Sequence, residues 1–150
     1  MVPTNLGEAH QRTKDELSAL AGPLREVLSG AYGVSEDPLV SVGYVVCDAL
    51  VLANNGRGGL AHFMNGQNPR GIIEKMISEL GGDPRALHAY AVTSGRNEEI
   101  TGVCRSLGIR SIHTYESPDG DKRDVLYVPK AHELKVITAK DTTRVTFLSR

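Results

Sequence analysis

The sequence predicts an α/β fold in which about three helices pack on a layered, mixed and mostly antiparallel β-sheet. Apolar residues recur at helical spacing in three segments, and short runs rich in β-branched residues lie between and after these segments. Glycines and prolines fall at the ends of these segments and not in one linker, so the 150 residues are expected to form a single domain.

The first predicted helical segment covers residues 8–29. Leucines recur in it at steps of three and four residues, which places them on one face of a helix. These leucines are Leu17, Leu20, Leu24 and Leu28. Gly22-Pro23 interrupts the stripe, so the sequence predicts either one kinked helix or two short ones.

The next predicted element is a β-hairpin. Residues 39–52 are rich in β-branched side chains and predict one long buried strand or two joined strands. Residues 54–57 read Asn-Asn-Gly-Arg, which is typical of a tight turn because asparagine and glycine tolerate a positive φ. Residues 59–64 are expected to form the returning strand.

Two more helices and five more strands are predicted after the hairpin. Asn68-Pro69 marks the start of the second helix, with asparagine as the cap and proline at the first helical position. The third helix covers residues 97–107. The strands cover residues 87–93, 109–115, 124–128, 134–138 and 142–148, and the last three are expected to follow one another in antiparallel order.

Composition and charge argue against several classes of function. The chain has 17 basic and 18 acidic residues and a net charge of -1, which disfavours nucleic acid or an anionic membrane surface as the main partner. It has no apolar run of about 20 residues that would insert into a membrane, and no secretory signal pattern. Its two cysteines make neither a disulfide framework nor a cysteine zinc site, so we expect a cytoplasmic protein without a metal or cofactor.

A cysteine and a histidine in the predicted hairpin are the first candidates for chemistry. A nucleophilic cysteine needs a base within hydrogen-bond reach, and Cys47 and His62 lie on the two strands of this hairpin. If the turn is centred between Asn55 and Gly56, Cys47 lies opposite Met64 and has His62 as a diagonal neighbour on the same face. If the turn is centred on Asn55, His62 points to the other face. A small buried side chain and a packed strand histidine explain the same residues without chemistry.

A second candidate site joins a predicted strand to the third helix. Thr93, Ser94, Arg96 and Asn97 lie there, and helix N-termini often bind anions or carbonyl oxygens. An ordinary helix cap is the alternative interpretation. Cys104 lies on the apolar stripe of the third helix and is expected in the core.

Several motifs, in their order along the chain, resemble the chemoreceptor glutamine deamidase family CheD, whose fold is shared with the catalytic domain of cytotoxic necrotising factor toxins. The best motif is GGLAHFM at residues 58–64, which is similar to the family's segment around its catalytic histidine. Gly-Arg-Asn at residues 95–97 and Leu-Gly-Ile at residues 107–109 follow in the same order. The resemblance covers about residues 39–137 and leaves residues 142–148 as an extra C-terminal strand.

This resemblance implies a layered α/β fold and, in active members, hydrolysis of protein glutamine side chains to glutamate. In that chemistry a cysteine thiolate attacks the carboxamide carbon, and the histidine activates the thiol and protonates the leaving ammonia. Water then hydrolyses the thioester. The implied partner or substrate is a protein, such as a chemoreceptor or another signalling protein.

The chain departs from the family at the nucleophile. Counting back from His62 without a gap, residues 43–45 read Gly-Tyr-Val where the family has Gly-Ser-Cys. Val45 therefore stands in the nucleophile's place, and valine has no nucleophilic atom. By the same count, Leu39 stands where the family has a threonine that helps to orient the histidine.

Three functions stay open at this point. The first is a CheD-like domain that keeps the scaffold, has lost the chemistry and binds a protein. The second is a cysteine-dependent protein-glutamine amidohydrolase with Cys47 as a displaced nucleophile, His62 as the base and Ser41 supplying a hydroxyl. In this second hypothesis Ser41, Val45 and Cys47 share the parity of one extended strand and hence one face. The third is a small-molecule-binding domain that uses residues 93–97.

Overall fold

The computed structural model describes residues 8–44, 47–93, 98–116 and 122–146. Within these ranges it contains three α-helices and ten β-strands, and the predicted α/β class is confirmed. The helices are α1 (Gln11–Ser18), α2 (Arg70–Glu79) and α3 (Glu99–Ser106). The strands are β1 (Arg25–Glu26), β2 (Tyr32–Ser35), β3 (Leu39–Tyr44), β4 (Asp48–Asn54), β5 (Arg57–Phe63), β6 (His88–Thr93), β7 (Ser111–Glu116), β8 (Arg123–Val128), β9 (Glu133–Ile137) and β10 (Thr142–Thr146).

The strands form two five-stranded sheets. The first sheet has the order β1-β3-β8-β9-β10, and the second has the order β2-β5-β4-β6-β7. Two strand pairs are parallel, β1 with β3 and β6 with β7, and the other described pairs are antiparallel. The mostly antiparallel pairing and the antiparallel succession of β8, β9 and β10 therefore agree with the sequence prediction.

The two sheets pack face to face with helices on both outer faces. Side chains of β3 and β4, such as Leu39 and Val51, are buried between the sheets. Ile73 of α2 and Ile100 of α3 pack on the outer face of the second sheet. Leu17 of α1 packs on the outer face of the first sheet. The layers therefore run helix, sheet, sheet, helix.

The N-terminal helical segment is much shorter than predicted. The structure ends α1 at Ser18 and places β1 and β2 in the region that follows, so the helix predicted over residues 8–29 is wrong beyond its first half. Gly22 has a φ of +87°, and Val27 donates its N–H to the Val40 carbonyl at 2.8 Å. Gly22-Pro23 does not resume the helix, and pairing with β3 satisfies the backbone groups of residues 25–27 instead.

The segment over residues 39–52 is two strands, and they belong to different sheets. β3 lies in the first sheet and β4 in the second. β3 also carries a bulge: Ser41 pairs with Val125, whereas Tyr44 pairs with Arg123. The expectation that Ser41 and Cys47 share the face of one extended strand is therefore wrong, because both the bulge and the change of sheet interrupt the alternation.

Candidate functional site

The β4–β5 hairpin has the register that keeps Cys47 and His62 on the same face. Asn54 pairs with Arg57, so the turn is centred between Asn55 and Gly56. Both turn residues have a positive φ, 45° and 82°, as the favoured two-residue hairpin turn requires. His62 lies opposite Ala49 on the face between the sheets, and Cys47 packs against the apolar cluster buried there.

The two glycines before His62 are required by packing. A Cβ on Gly58 would lie 2.7 Å from the Leu52 carbonyl oxygen and would collide with the Tyr127 ring. A Cβ on Gly59 would lie 2.8 Å from Met76 of α2. The glycines of the run at residues 58–64 therefore fit the hairpin between the opposite sheet and the helix layer.

His62 is fully buried, and Ser41 fixes its tautomer. Ser41 Oγ lies 2.6 Å from the Val27 carbonyl oxygen and 2.8 Å from His62 Nδ1. The single hydroxyl proton goes to the carbonyl, which cannot donate, so Nδ1 carries a proton and donates to Ser41. In the neutral ring Nε2 then holds a lone pair, and this atom has no hydrogen-bond partner among the described residues.

Tyr44 covers the imidazole ring. Its ring centroid lies 3.7 Å from that of His62, and the two planes are 16° apart. The bulge in β3 allows both Ser41 and Tyr44 to contact His62, because residues three apart in a regular strand point to opposite faces. Gly43, with a φ of +83°, supplies the backbone conformation of the bulge.

Burial and a neighbouring cation keep His62 neutral. Burial is the main cause that lowers the pKa of His62 to about 4, and the positive charge of Arg123 adds to this effect. Arg123 is itself fully buried and donates from Nη2 to the Cys47 carbonyl oxygen at 3.1 Å. Burial also raises the pKa of the Tyr44 phenol, so the ring that covers His62 stays protonated.

A buried carboxylate holds the bulge in place. Asp124 Oδ1 accepts from the Gly43 N–H at 3.1 Å. Its Oδ2 accepts from the His10 N–H at 2.9 Å and from the Thr13 hydroxyl at 2.7 Å. One side chain of β8 thus ties the start of α1 to the bulge that positions Tyr44.

The structure joins only part of the predicted catalytic set. Ser41 and His62 are hydrogen-bonded, although Ser41 reaches the histidine from the opposite sheet. Cys47 is half-buried, and its thiol makes no hydrogen bond to His62. Cys104 is buried in the core as predicted, and burial raises the pKa of its thiol to about 12.

Sequence reasoning missed three residues of this site: Tyr44, Arg123 and Asp124. In the sequence, Tyr44 stands out only because it occupies the middle of the family's Gly-Ser-Cys position. Arg123-Asp124 opens a strand whose next residues are apolar, and a charged pair at that point is the one sequence signal for a buried polar contact.

Of the second candidate site, only Thr93 lies within the described residues. Its side chain is buried at the end of β6. Ser94, Arg96 and Asn97 lie outside the described residues.

An exposed apolar patch lies next to the backbone of His62. Leu28 is 45% exposed and Met64 is 50% exposed. The Gly30 N–H donates to the His62 carbonyl at 2.7 Å, and Gln67 bridges Met64 N–H and the Gly30 carbonyl. We call Leu28, Gly30, Met64 and Gln67 the Leu28–Met64 patch.

The described residues contain no group of three or more histidine, cysteine or acidic side chains placed to hold a metal ion. Among the described helices, none has the length and apolar character needed to cross a bilayer.

Comparison with known proteins adds no relative. The chain matches no model of a known protein family, and a search of curated proteins finds no similar sequence. The site is therefore interpreted from its own geometry and from the motif at residues 58–64.

Proposed function

We propose that this chain is a CheD-like domain of the cytoplasm that acts by binding a protein and does not carry out thiol chemistry. One observation carries the proposal: the histidine of the GGLAHFM motif is fully buried under Tyr44, with no thiol on its free nitrogen. The motif itself supports the CheD-like assignment, and the protein partner follows from that resemblance.

The surroundings of His62 oppose thiol activation. A cysteine nucleophile is favoured when its proton moves to a nearby histidine, which then becomes an imidazolium. Burial and Arg123 disfavour the imidazolium here, as the lowered pKa of His62 expresses. Nε2 is also buried, so it must become accessible before a glutamine side chain can approach it.

The Leu28–Met64 patch supports the binding half of the proposal. Two large apolar side chains, Leu28 and Met64, are exposed in chain segments that the Gly30–His62 and Gln67–Gly30 hydrogen bonds hold together, and exposed apolar patches often mark interaction sites. The patch lies over the backbone of His62, so the same hairpin that carries the motif also presents this surface. The partner that the resemblance favours is the cytoplasmic part of a chemoreceptor.

A second candidate function is the displaced-nucleophile hydrolase. The specific observation in its favour is that Nε2 of His62 holds a lone pair on the hairpin face against which Cys47 packs. Its mechanism transfers the Cys47 thiol proton to Nε2 as sulfur attacks the amide carbon. That proton leaves with ammonia, and water cleaves the thioester to release glutamate and restore the thiol. The buried site must first open to admit the substrate amide.

One experiment tests both functions. The chain is mixed with a purified chemoreceptor cytoplasmic fragment, binding is followed by calorimetry, and glutamine-to-glutamate conversion is followed by mass spectrometry of the fragment. We expect binding that is lost in Leu28→Asp and Met64→Asp, and no conversion. Lys14→Asp is the control, because Lys14 is also exposed but lies on α1, which contributes no residue to the patch. Conversion that disappears in Cys47→Ala would replace the proposal by the hydrolase, and absence of binding would overturn it.

Alkylation gives a second test that needs no partner. Iodoacetamide labelling of Cys47 is measured against pH in the parent chain and in His62→Phe, with peptide mapping to exclude Cys104. We expect equal labelling rates in the two proteins, because no thiol–imidazole bond exists to be removed. A labelling rate that falls tenfold or more in His62→Phe would show that the two residues act together.

A further inference from the structure

β7 is the least protected edge of the two sheets. The four terminal strands are β1, β2, β7 and β10, and β7 is the longest, with six residues. It pairs with β6 in unbroken register from Ser111 to Glu116, so no bulge twists it away. Natural sheets usually protect an edge with lysine, proline or a bulge, and β7 contains none of these.

The residues along this edge are accessible to a partner. His113, Thr114, Tyr115 and Glu116 are all exposed, and so is Arg110, which directly precedes the strand. Within the described ranges, neither Arg110 nor Glu116 forms an ion pair. A positive and a negative side chain, each without an ion pair among the described residues, therefore lie at the two ends of an exposed strand.

We propose that a second copy of this chain pairs with β7 in antiparallel orientation around His113. In an antiparallel pair, opposite residues point to the same face. Residues of β7 that point to the same face have residue numbers of equal parity. Two copies of β7 can therefore pair only in registers that place residues of equal parity opposite each other. The register centred on His113 obeys the rule and places Arg110 opposite Glu116 of the other copy, twice by symmetry.

Neighbouring registers lack this complementarity. Centring the pair on Ile112 places Arg110 opposite Thr114, and centring it on Thr114 places Glu116 opposite Ile112. Only the His113 register pairs the full strand and both charges at once. It also keeps the helix layers of the two copies on the same side of one continuous sheet, because the symmetry axis is perpendicular to the sheet.

A strand pair of this length buries little surface, so the association is expected to depend on concentration. Sedimentation velocity over a concentration series measures it. Arg110→Glu is expected to raise the dissociation constant at least about tenfold, because two attractive pairs become two repulsive ones. The double variant Arg110→Glu/Glu116→Arg restores the opposite charges and is expected to recover the dimer.

Cross-linking tests the register directly. His113→Cys, in a Cys47→Ala background, places the two new cysteines directly opposite each other, at about 5 Å between Cα atoms and within disulfide range. Thr114→Cys is the matched control, because its two copies lie about 8 Å apart and beyond disulfide reach. We expect a covalent dimer from His113→Cys alone under mild oxidation.

A chain that stays monomeric at every concentration would overturn the proposal. So would a dimer that ignores the charge variants, or one that cross-links through Thr114→Cys as readily as through His113→Cys. The Leu28–Met64 patch lies on other elements, so loss of partner binding there and loss of self-pairing at β7 are distinguishable.

Discussion

The direction in which the Ser41 hydroxyl donates its proton determines the tautomer of His62. Ser41 gives its hydroxyl proton to the Val27 carbonyl, so it can only accept from the imidazole. The neutral ring then leaves one buried lone pair at Nε2. An imidazolium would bury a second N–H there, and the described residues offer it no acceptor. The folded state therefore selects the neutral histidine.

This selection predicts a pH dependence of stability. The pKa of His62 is lowered to about 4 in the folded chain, against an ordinary value of about 6.5 in the unfolded one. The unfolded state thus binds more protons, and the contribution of His62 is complete above pH 6.5 and is lost as the pH falls towards 4. The loss is at most about 3 kcal/mol of unfolding free energy.

Urea denaturation between pH 7 and pH 4 measures this effect. His62→Phe keeps an aromatic ring against Tyr44 and removes the titrating group, so its stability is expected to vary less over this interval. His132→Asn is the control, because asparagine tolerates the positive φ of 52° at that position. Equal pH slopes in the parent and in His62→Phe would contradict the assignment.

Local pattern predicted one half of this site and could not predict the other. The sequence identifies Cys47 and His62 because a hairpin is a local structure, but it leaves two registers open, and only the structure shows the one that places both residues on the same face. The contacts of His62 with Ser41 and Tyr44 cross from one sheet to the other, and no sequence period encodes that crossing. The bulge at Gly43 adds a further change of face that only the folded backbone reveals.

Among the elements, the hairpin is constrained more tightly than the helices. Gly58 lies where a side chain would meet both a neighbouring carbonyl and a tyrosine ring of the opposite sheet. Gly102, in contrast, lies in the middle of α3, exposed and with open space where a Cβ would be. Replacing these two glycines by alanine is therefore expected to change the unfolding free energy in opposite directions.

Gly58→Ala is expected to lower the unfolding free energy by about 1–3 kcal/mol, because the backbone must shift to admit the methyl group. Gly102→Ala is the matched control and is expected to raise it by about 0.5–1 kcal/mol, since alanine favours the helix. Thermal and urea denaturation of both variants provide the comparison. An unchanged unfolding free energy in Gly58→Ala would show that the packing around residue 58 is looser than the 2.7 Å approach of the Leu52 carbonyl oxygen indicates.

Element prediction succeeded where a pattern was continuous and failed where tertiary pairing overruled it. α2 and α3 and the strands β8, β9 and β10 lie where periodicity and turn residues placed them. The leucine stripe of the first segment extended the predicted helix too far, although Leu17 and Leu24 do pack on the first sheet. β1 is only two residues long and exists because β3 offers it backbone partners, which is information outside its own sequence.

In the molecule as a whole, Arg123 and Asp124 connect layers that are distant in sequence. Arg123 reaches from the first sheet to the Cys47 carbonyl beside the second. Asp124 accepts from α1 and from the β3 bulge. These two neighbours on β8 therefore couple the helix on one side of the molecule to the hairpin that carries His62.

Removing the Asp124 carboxylate is expected to destabilise the whole molecule. Asp124→Ala leaves the buried Thr13 hydroxyl and two partly buried backbone N–H groups without their acceptor, and we expect a loss of about 3 kcal/mol. Thr13→Val removes a single bond to the carboxylate and is expected to lose about 2 kcal/mol. The double variant is expected to lose clearly less unfolding free energy than the two single variants lose together, because Thr13 has no partner to lose once the Asp124 carboxylate is gone.

Urea denaturation of the two single variants and the double variant gives the coupling energy. Asp15→Ala is the control: Asp15 is an exposed acid of α1 that bonds only within its own helix, to Gln11, and its loss is expected to change stability by less than about 0.5 kcal/mol. Strict additivity of Thr13→Val and Asp124→Ala would mean that their hydrogen bond contributes nothing to holding α1 on the sheet. A non-additive result with unchanged denaturant slopes would show that this carboxylate links α1 to the first sheet.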